Sequence, residues 1–463
     1  MNQQIEKYNG KKVMIVGLGI TGISLVRFFS EQSAAIIIND AKSRNEIVPT
    51  LSKLKSVSYT GIFGKHPETL EEAGNPDYII LSPGISLKLP FIEEAIKRDL
   101  PVLGEIELAY RHMDAPIAAI TGTNGKTTTT ALLGDMMQRA GIKHEVVGNI
   151  GTAAVSKVKN LTADAYCIME ISSFQLETVI DFKPKVAALL NITPDHLNRH
   201  KSIENYADLK FKIFSNQNAE DVAVINADDE ICKQFMEKKA KLKAELMFFS
   251  RCIPLQKGIF IKDGKMVVQD DQRSAIIIDR EKILLPGDHN LENAMAAVGM
   301  AWVMNVPLET IRESLEKFRG VEHRIEMVEI NQGITFINDS KATNPDAAIK
   351  AILSVKDPII LLAGGMDKGN DFTEFIEAFD KRVKKVIVYG ETAEKLAHKC
   401  SELGFYEAIK TDDLEEAFRT ACEEALPGDT ILLSPACASW DMYENYEARG
   451  NHFKKLVQKF NQK

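Results

Sequence analysis

The chain has 463 residues, of which 45% are hydrophobic and 26% are charged, and its formal net charge is −8. This length predicts about three domains, because a single domain usually holds roughly 100–200 residues. The acidic balance argues against a nucleic-acid partner, and no segment approaches the ~18 apolar residues of a membrane helix, so we expect no membrane partner either. The six cysteines form no Cys-x-x-Cys pair, which indicates reduced thiols in a cytoplasmic protein.

The first candidate site is a glycine loop between a predicted strand and a predicted helix. Lys12–Val16 is predicted as the strand, Gly17–Gly22 has the pattern Gly-x-Gly-x-x-Gly, and Ile23–Ser30 is predicted as the helix. A second strand, Ala34–Ile38, leads to Asp40, which completes the βαβ unit of a dinucleotide fingerprint. Taken alone the pattern suggests NAD, but its physics requires only a diphosphate at a helix N-terminus.

A later strand of the same block runs into a second glycine loop. Tyr78–Leu81 is predicted as the strand and Ser82–Ile85 as the loop, where Gly84 allows backbone to approach a ligand closely. The alternative is a Rossmann-like domain whose glycines serve only packing.

The second candidate site is the segment Ile117–Thr128. Ile117–Ile120 predicts a buried strand, and Gly122 and Gly125 mark a tight loop before a helix. Backbone N–H groups and the helix dipole can hold a polyphosphate there, while Lys126 reaches its outer phosphates. The alternative is a glycine turn with an incidental lysine.

Three further side chains in the middle of the chain bear on metal chemistry. Glu170 and His196 each follow a predicted strand, where a side chain faces the ligand crevice of an α/β sheet and can bind Mg²⁺. A lone histidine is more often structural. Lys210, by pattern alone, is a solvated helix lysine. Asn290 and Asn293, on a predicted helix over 290–304, offer amides for a nucleobase.

The last block opens with a predicted linker, Phe318–Arg324, and resembles another Rossmann-like domain. The predicted strands of this block are Thr335–Asn338, Pro358–Ala363, Val386–Gly390 and Thr430–Ser434. Lys341 and Lys368 each follow a strand beside glycines or hydroxyl groups, where they suit the carboxylates of an anionic substrate. The alternative for each is a surface lysine.

These blocks predict an α/β protein of three domains, namely a Rossmann-like domain over residues 1–104, a central mononucleotide-binding ATPase-type α/β domain over 105–320 and a second Rossmann-like domain over 321–463. A triphosphate loop between two ligand-binding domains favours a ligase over a kinase or a motor. The competing hypothesis from another class is a nucleotide-regulated binding or redox protein that uses the first glycine loop.

The whole chain resembles the Mur ligases of peptidoglycan synthesis, which are related to folylpolyglutamate synthetase. The segments that carry the resemblance are Thr121–Thr128, Gly148–Gly151, Glu170–Glu177, Asn191–His196, Asp339–Asn344 and Leu433–Ser439. The first and fourth segments are shared by the superfamily. The last two, together with residues 172–176, point to the branch of the family that adds D-glutamate. The alternative within the superfamily is another amino-acid or polyglutamate ligase.

The resemblance implies that ATP phosphorylates the alanine carboxylate of UDP-N-acetylmuramoyl-L-alanine and that the amine of D-glutamate attacks the resulting acyl phosphate. It also implies a monomer, small-molecule substrates and Mg²⁺ at two sites. Finally, it reverses the pattern-based view of Lys210, which resembles a family lysine that CO₂ converts to a carbamate. We align on Tyr206, and Lys212 is the alternative position.

The resemblance implies the following site residues. Those for the uridine diphosphate substrate are Ile20, Thr21, Asp40, Gly84 and Asn149. Those for ATP are Gly122, Thr123, Asn124, Gly125, Lys126, Thr127, Thr128, Asn290, Asn293, Arg324 and Asp339. Those for D-glutamate are Lys341, Thr343, Lys368, Ser439 and Tyr446. The metal ligands are Thr127, Glu170, His196 and carbamylated Lys210, and the catalytic residues are Lys126, His196 and Lys210.

Overall fold

Three β-sheets follow one another along the chain, with 5, 9 and 6 strands. The computed structural model describes residues 8–149, 152–193, 195, 197–238, 242–285, 287–367 and 369–460. Residue contacts divide the chain into two compact units, the first ending at Phe318 and the second beginning at Arg319. The first unit contains the first two sheets. The predicted α/β architecture is confirmed, whereas the predicted domain boundaries after residues 104 and 320 stay predictions.

The first sheet is entirely parallel. Its strands are β1 (Lys12–Val16), β2 (Ala35–Asp40), β3 (Thr60–Phe63), β4 (Tyr78–Leu81) and β5 (Val102–Gly104). Its helices are α1 (Ile20–Glu31), α2 (Val48–Leu51), α3 (Pro90–Lys97) and α4 (Glu105–Arg111). The strand order is β3-β2-β1-β4-β5. After β3 the chain returns to the other side of β1 and adds β4 and β5 there. The carboxyl ends of β1 and β4 therefore border the expected ligand crevice.

The second sheet is parallel except at one edge. Its strands are β6 (Ile117–Thr121), β7 (His144–Gly148), β8 (Tyr166–Glu170), β9 (Val186–Leu189), β10 (Val222–Asn226), β11 (Glu245–Ser250), β12 (Gly258–Lys262), β13 (Lys265–Gln269) and β14 (Ser274–Asp279). Its helices are α5 (Lys126–Arg139), α6 (Ser173–Leu176), α7 (Leu197–His200), α8 (Ile203–Phe211), α9 (Glu230–Lys238), α10 (Asp288–Val303) and α11 (Leu308–Lys317). The order is β14-β13-β12-β11-β10-β9-β6-β8-β7. Strand β13 pairs antiparallel with both of its neighbours, β12 and β14.

The position of β6 in this sheet determines where the second candidate site lies. All five residues of β6 are buried, as expected for a parallel strand covered on both faces. Strands β8 and β9 pair with it on either side. The carboxyl ends of β8, β6 and β9 therefore lie next to one another at one edge of the sheet.

The third sheet forms the second unit with its own helices. Its strands are β15 (Glu326–Asn331), β16 (Ile334–Asn338), β17 (Ile359–Gly364), β18 (Val383–Tyr389), β19 (Ala408–Lys410) and β20 (Thr430–Leu433). Its helices are α12 (Pro345–Ser354), α13 (Thr373–Glu377), α14 (Ala393–Glu402), α15 (Leu414–Glu424) and α16 (Tyr446–Phe460). The order is β15-β16-β20-β17-β18-β19, with only the β15–β16 pair antiparallel among the described strands.

Two predicted boundaries are wrong in an informative way. Helix α1 begins at Ile20 rather than Ile23, so the third glycine of the first loop belongs to the helix. Strand β18 begins at Val383 rather than Val386. Two charged residues, Lys384 and Lys385, interrupt the apolar pattern at the start of this strand. The strand accommodates them because their ammonium groups pair with Asp429 and Glu424 at 2.8 Å each.

The cysteines and the helices bear on two further predictions from the sequence. The six cysteines form no disulfide with one another. Within the described residues, no helix combines the length and apolar character needed to span a membrane.

Candidate active site

The phosphate loop, Thr121–Lys126, joins the end of β6 to the start of α5. Gly125 has a φ of +85°, and a Cβ at this position would overlap the side-chain amide of Asn293. Both constraints require glycine. The ammonium of Lys126 donates to the carbonyls of Gly122 at 2.8 Å and Thr123 at 2.7 Å. A loop of this shape in front of a helix N-terminus suits a polyphosphate.

Asn191, two residues past the end of β9, holds the phosphate loop through three hydrogen bonds. Its carbonyl accepts the N–H of Thr123 at 3.0 Å. Its side-chain Oδ1 accepts the N–H of Asn124 at 2.9 Å, and its Nδ2 donates to the Asn124 carbonyl at 3.2 Å. Sequence analysis missed this role, although a polar residue just past a strand that neighbours β6 was the available signal.

Lys210 lies beneath the phosphate loop rather than in solvent. The residue belongs to α8 and is 1% exposed, so the pattern-based prediction of a solvated lysine is wrong. The Nζ atom donates to the Gly122 carbonyl at 2.7 Å and lies 4.5 Å from the centre of the Tyr206 ring. Burial, and next the charge of Lys126, hold the pKa of Lys210 well below its ordinary value.

Glu170, the last residue of β8, is 2% exposed. Its Oε1 accepts the Nδ2–H of Asn149 at 2.9 Å, while its buried Oε2 has no hydrogen-bond partner among the described residues. A buried carboxylate oxygen without a donor is the kind of ligand that a hard cation such as Mg²⁺ takes. Asn149 thus contacts the candidate metal ligand, and its predicted contact with the uridine diphosphate stays a prediction.

The remaining residues predicted for ATP and metal divide between the two units. Thr127 is buried in the first turn of α5 and Thr128 follows it. Asn293 on α10 is buried against the phosphate loop, and its amide donates to Oδ1 of Asn290 at 3.2 Å. His196 lies outside the described residues. Within those residues, no group of three or more His, Cys, Asp or Glu side chains is arranged to hold a metal.

The first glycine loop and the loop after β4 meet at the crevice of the first sheet. The Ser82 hydroxyl donates to the Gly17 carbonyl at 2.7 Å. The Asp40 carboxylate accepts the N–H of Leu18 at 2.7 Å, and Ile20, the first residue of α1, is 75% exposed. Thr21 is half-buried and Gly84 is exposed. The structure thus brings these predicted substrate residues together, except for Asn149.

The predicted D-glutamate residues that the structure describes follow two adjacent strands of the second unit, β16 and β20, except for Tyr446, which begins α16. The segment after β16 contains Lys341 and Thr343, and the Ser340 hydroxyl donates to the Tyr446 carbonyl at 2.8 Å. A bridge between Met366 and Ala438 joins the segment after β17 to the one that contains Ser439. Lys368 lies outside the described residues.

Asp339 and Arg324 were predicted to bind ATP, and both belong to the second unit. Asp339 accepts the Ser434 hydroxyl at 2.7 Å and the N–H of Ile325 at 3.1 Å. Burial raises the pKa of Asp339 to about 7.

Arg449 is a residue of this site that sequence analysis missed. It is fully buried in α16. Its guanidinium donates to the Ser340 hydroxyl at 3.0 Å, the Ser340 carbonyl at 2.9 Å and the Cys437 carbonyl at 3.1 Å. It therefore ties the segment after β16 to the segment after β20. An arginine in an amphipathic helix gives no local signal of such a role.

Three family profiles match successive parts of the chain. The profile described as the Mur ligase MurD-like N-terminal domain matches residues 11–104. The Mur ligase middle domain matches residues 120–301, and the Mur ligase glutamate ligase domain matches residues 323–437.

Curated relatives match nearly the whole chain. A UDP-N-acetylmuramoylalanine–D-glutamate ligase from Alkaliphilus oremlandii (strain OhILAs) is 49% identical over 447 residues, which cover 96% of this chain and 98% of that protein. The ligase of the same name from Clostridioides difficile (strain 630) is 44% identical over 450 residues, which cover 97% of this chain and 98% of that protein.

Solved structures share the fold at low sequence identity. The UDP-N-acetylmuramate–alanine ligase of Thermotoga maritima superposes with a TM-score of 0.54 at 19% identity, over 97% of this chain and 100% of that chain. The FolC structure from E. coli, in complex with DHPP and ADP, gives a TM-score of 0.53 at 16% identity, over 77% of this chain and 94% of that chain.

Proposed function

The chain belongs to the Mur ligase family, and on that premise we propose that it joins D-glutamate to UDP-N-acetylmuramoyl-L-alanine with ATP. The observation that carries the proposal is the arrangement of the first unit, in which the phosphate loop follows β6, a buried carboxylate, Glu170, ends the neighbouring strand β8, and a buried lysine of α8, Lys210, donates to the loop. The enzyme acts in peptidoglycan precursor synthesis, and we propose that it is a cytoplasmic monomer.

A carboxylate is a poor electrophile, so it needs a better leaving group before an amine can attack it. An oxygen of the alanine carboxylate attacks the γ-phosphorus of ATP, ADP leaves, and an acyl phosphate forms. The amine of D-glutamate then attacks the acyl carbon, and the tetrahedral intermediate releases phosphate while the nitrogen loses a proton. Lys126, once it turns from the loop carbonyls to the phosphates, stabilises the negative charge that develops in the first step.

We propose Mg²⁺ at the carboxyl ends of β6 and β8. Thr127 and Glu170 would hold it together with His196, and the orphaned Oε2 of Glu170 fits this assignment. When bound, the cation neutralises phosphate charge. We also propose that Lys210 carries a carbamate. Its neutral amine attacks the carbon of CO₂, a C–N bond forms, and a proton leaves nitrogen, which leaves a carboxylate-like group suited to a hard metal.

Three observations support Lys210 over Lys212 as the modified lysine. Lys210 is buried, and its lowered pKa favours the neutral amine that reacts with CO₂. The side chain of Lys212 instead points to the Glu177 carbonyl, to which its ammonium donates at 3.4 Å.

Lys210→Ala should lose activity, and added acetate or formate should restore part of it by filling the vacated ligand position. Lys212→Ala is the matched control and should keep activity. The measurement is phosphate release with and without the short carboxylate. Full activity of the Lys210 variant in CO₂-depleted buffer would contradict the carbamate.

ADP release tests the function as a whole. A ligase needs the UDP-sugar substrate and the amino acid together, so omission of either one should stop ADP formation after at most one turnover. A nucleotide-regulated redox protein would instead bind NADH and need no ATP. Tight NADH binding by calorimetry, without dependence of ADP release on D-glutamate, would overturn the proposal.

A further inference from the structure

His200 ends α7 and is 5% exposed. Its Nε2 lies 3.1 Å from the Ser173 hydroxyl, and its Nδ1 lies 3.7 Å from Oε1 of Glu177. The nearby carboxylate favours a proton on Nδ1, so that Nε2 accepts from the Ser173 hydroxyl. The hydrogen bond at Nε2 therefore orients the imidazole, and the carboxylate of Glu177 lies near its other nitrogen.

The faces and edges of the same ring contact two aromatic side chains. The ring centre of His200 lies 5.4 Å from that of Phe174 and 5.2 Å from that of Tyr206, at interplanar angles of 31° in both cases. Tyr206 is 2% exposed, so the packing of neighbouring side chains, including His200, determines where its ring lies.

Tyr206 is the link between His200 and the reactive lysine. Its ring centre lies 4.5 Å from Nζ of Lys210, and its hydroxyl oxygen accepts from the Thr123 hydroxyl of the phosphate loop at 3.4 Å. His200 thus supports the side chain that contacts both Lys210 and the phosphate loop.

His200 also connects α8, which bears Lys210, to the start of α6, which closely follows Glu170 in the chain. Ser173 opens α6, three residues after Glu170 at the end of β8, whereas Tyr206 and Lys210 lie on α8. Residues that orient metal ligands from behind change metal affinity or activity when they are substituted, although they touch neither metal nor substrate.

We propose that His200 is a positioning residue, which holds Tyr206, and through it Lys210, in the place where the carbamate forms and binds the metal. This inference rests on the carbamate of the proposed function. It assigns the role to the packing of the ring, while the hydrogen bond to Ser173 sets the ring's orientation.

The test measures the carbamate itself. The intact protein is equilibrated with carbon-13-labelled bicarbonate, and the carbon-13 NMR signal that is absent from Lys210→Ala is followed as bicarbonate is increased. For His200→Ala, we expect the bicarbonate concentration at half-maximal signal to rise by about ten- to a hundredfold, the usual effect of losing such a supporting residue. His200→Phe keeps an aromatic ring and should stay close to the wild type.

His398→Ala is the control, since that histidine lies in the second unit with its side chain 71% exposed. Circular dichroism establishes that each variant is folded at the assay temperature. If His200→Ala takes up CO₂ like the wild type, or if His200→Phe is as impaired as His200→Ala, the inference is wrong. A wild-type protein without a Lys210-dependent signal would instead overturn the carbamate itself.

Discussion

Lys126 is the residue whose loss should reveal most about the phosphate loop. It is half-buried and its ammonium donates to loop carbonyls, so Lys126→Ala should leave the fold intact. Because a positioned donor to developing charge is typically worth ~10²–10³-fold in rate, we expect a loss of that size in kcat. Lys143→Ala, which removes a lysine 57% exposed in the same unit, should have no effect.

The result that would contradict the role of Lys126 is retention of more than a tenth of wild-type turnover at saturating ATP. A parallel loss in Lys143→Ala would point to a general effect of charge on the first unit.

Glu105 is a buried carboxyl group outside the reaction, and it should make stability depend on pH. It is 3% exposed, and it accepts the N–H of Val155 at 2.8 Å. Burial raises its pKa from 4.5 to about 7. The native state therefore binds the proton more tightly than the unfolded state does. The proton on Glu105 therefore contributes stability to the folded state that is fully present below pH 4.5, and this contribution is lost as the pH rises through about 7.

Glu105→Gln keeps an acceptor for Val155 but cannot titrate. Between pH 5 and pH 8, the free energy of unfolding of the wild type should fall relative to the variant, by on the order of 3 kcal/mol at most. Urea denaturation at the two pH values measures this difference. A difference that is constant with pH, or that grows in favour of the wild type, would show that Glu105 is ionised in the folded protein.

At the scale of elements, the apolar strands were the easiest features to predict. Strands β1 and β4 have the predicted bounds, because short buried strands of a parallel sheet are continuous apolar runs. The side chains just past β6 and β8 followed from the same argument, since ligands bind at the carboxyl ends of such strands.

At the same scale, the hydrophobic pattern alone gave a wrong prediction for Lys210. Helix α8 gives Lys210 no local signal of burial, because its partner is the Gly122 carbonyl, 88 residues away in sequence. Only the family resemblance identified it. Arg449 was missed for the same physical reason, as its partners lie 109 and 12 residues away.

The start of α1 gives a prediction about substrate binding. A Cβ on Gly22 would overlap the Gly17 carbonyl, whereas one on Gly19 would meet nothing within 4 Å. Gly22→Val should thus distort the first glycine loop and raise the KM for the UDP-sugar, with little change in the KM for D-glutamate. Gly19→Ala is the matched control and should disturb the loop far less. An equal rise in both KM values for Gly22→Val would argue that the damage is global.

At the scale of the whole molecule, the contacts that join the first two sheets could not be predicted. Glu107 on α4 is fully buried and accepts the N–H groups of Ile180 at 2.9 Å and Phe182 at 3.1 Å. Arg199 donates to the Ile85 carbonyl at 3.1 Å and to Glu177 at 2.8 Å. Such contacts depend on how finished elements pack. The contact between Arg199 and Ile85 crosses the predicted boundary after residue 104, in agreement with the single compact unit that both predicted domains form.

The measurement that tests the central claim most directly is phosphate release with UDP-N-acetylmuramoyl-L-alanine and ATP against a panel of amino acids. The account predicts release with D-glutamate and far less with L-glutamate, glycine, L-alanine or a diamino acid. Turnover with L-glutamate or a diamino acid as fast as with D-glutamate would contradict it and would assign the chain to another branch of the family.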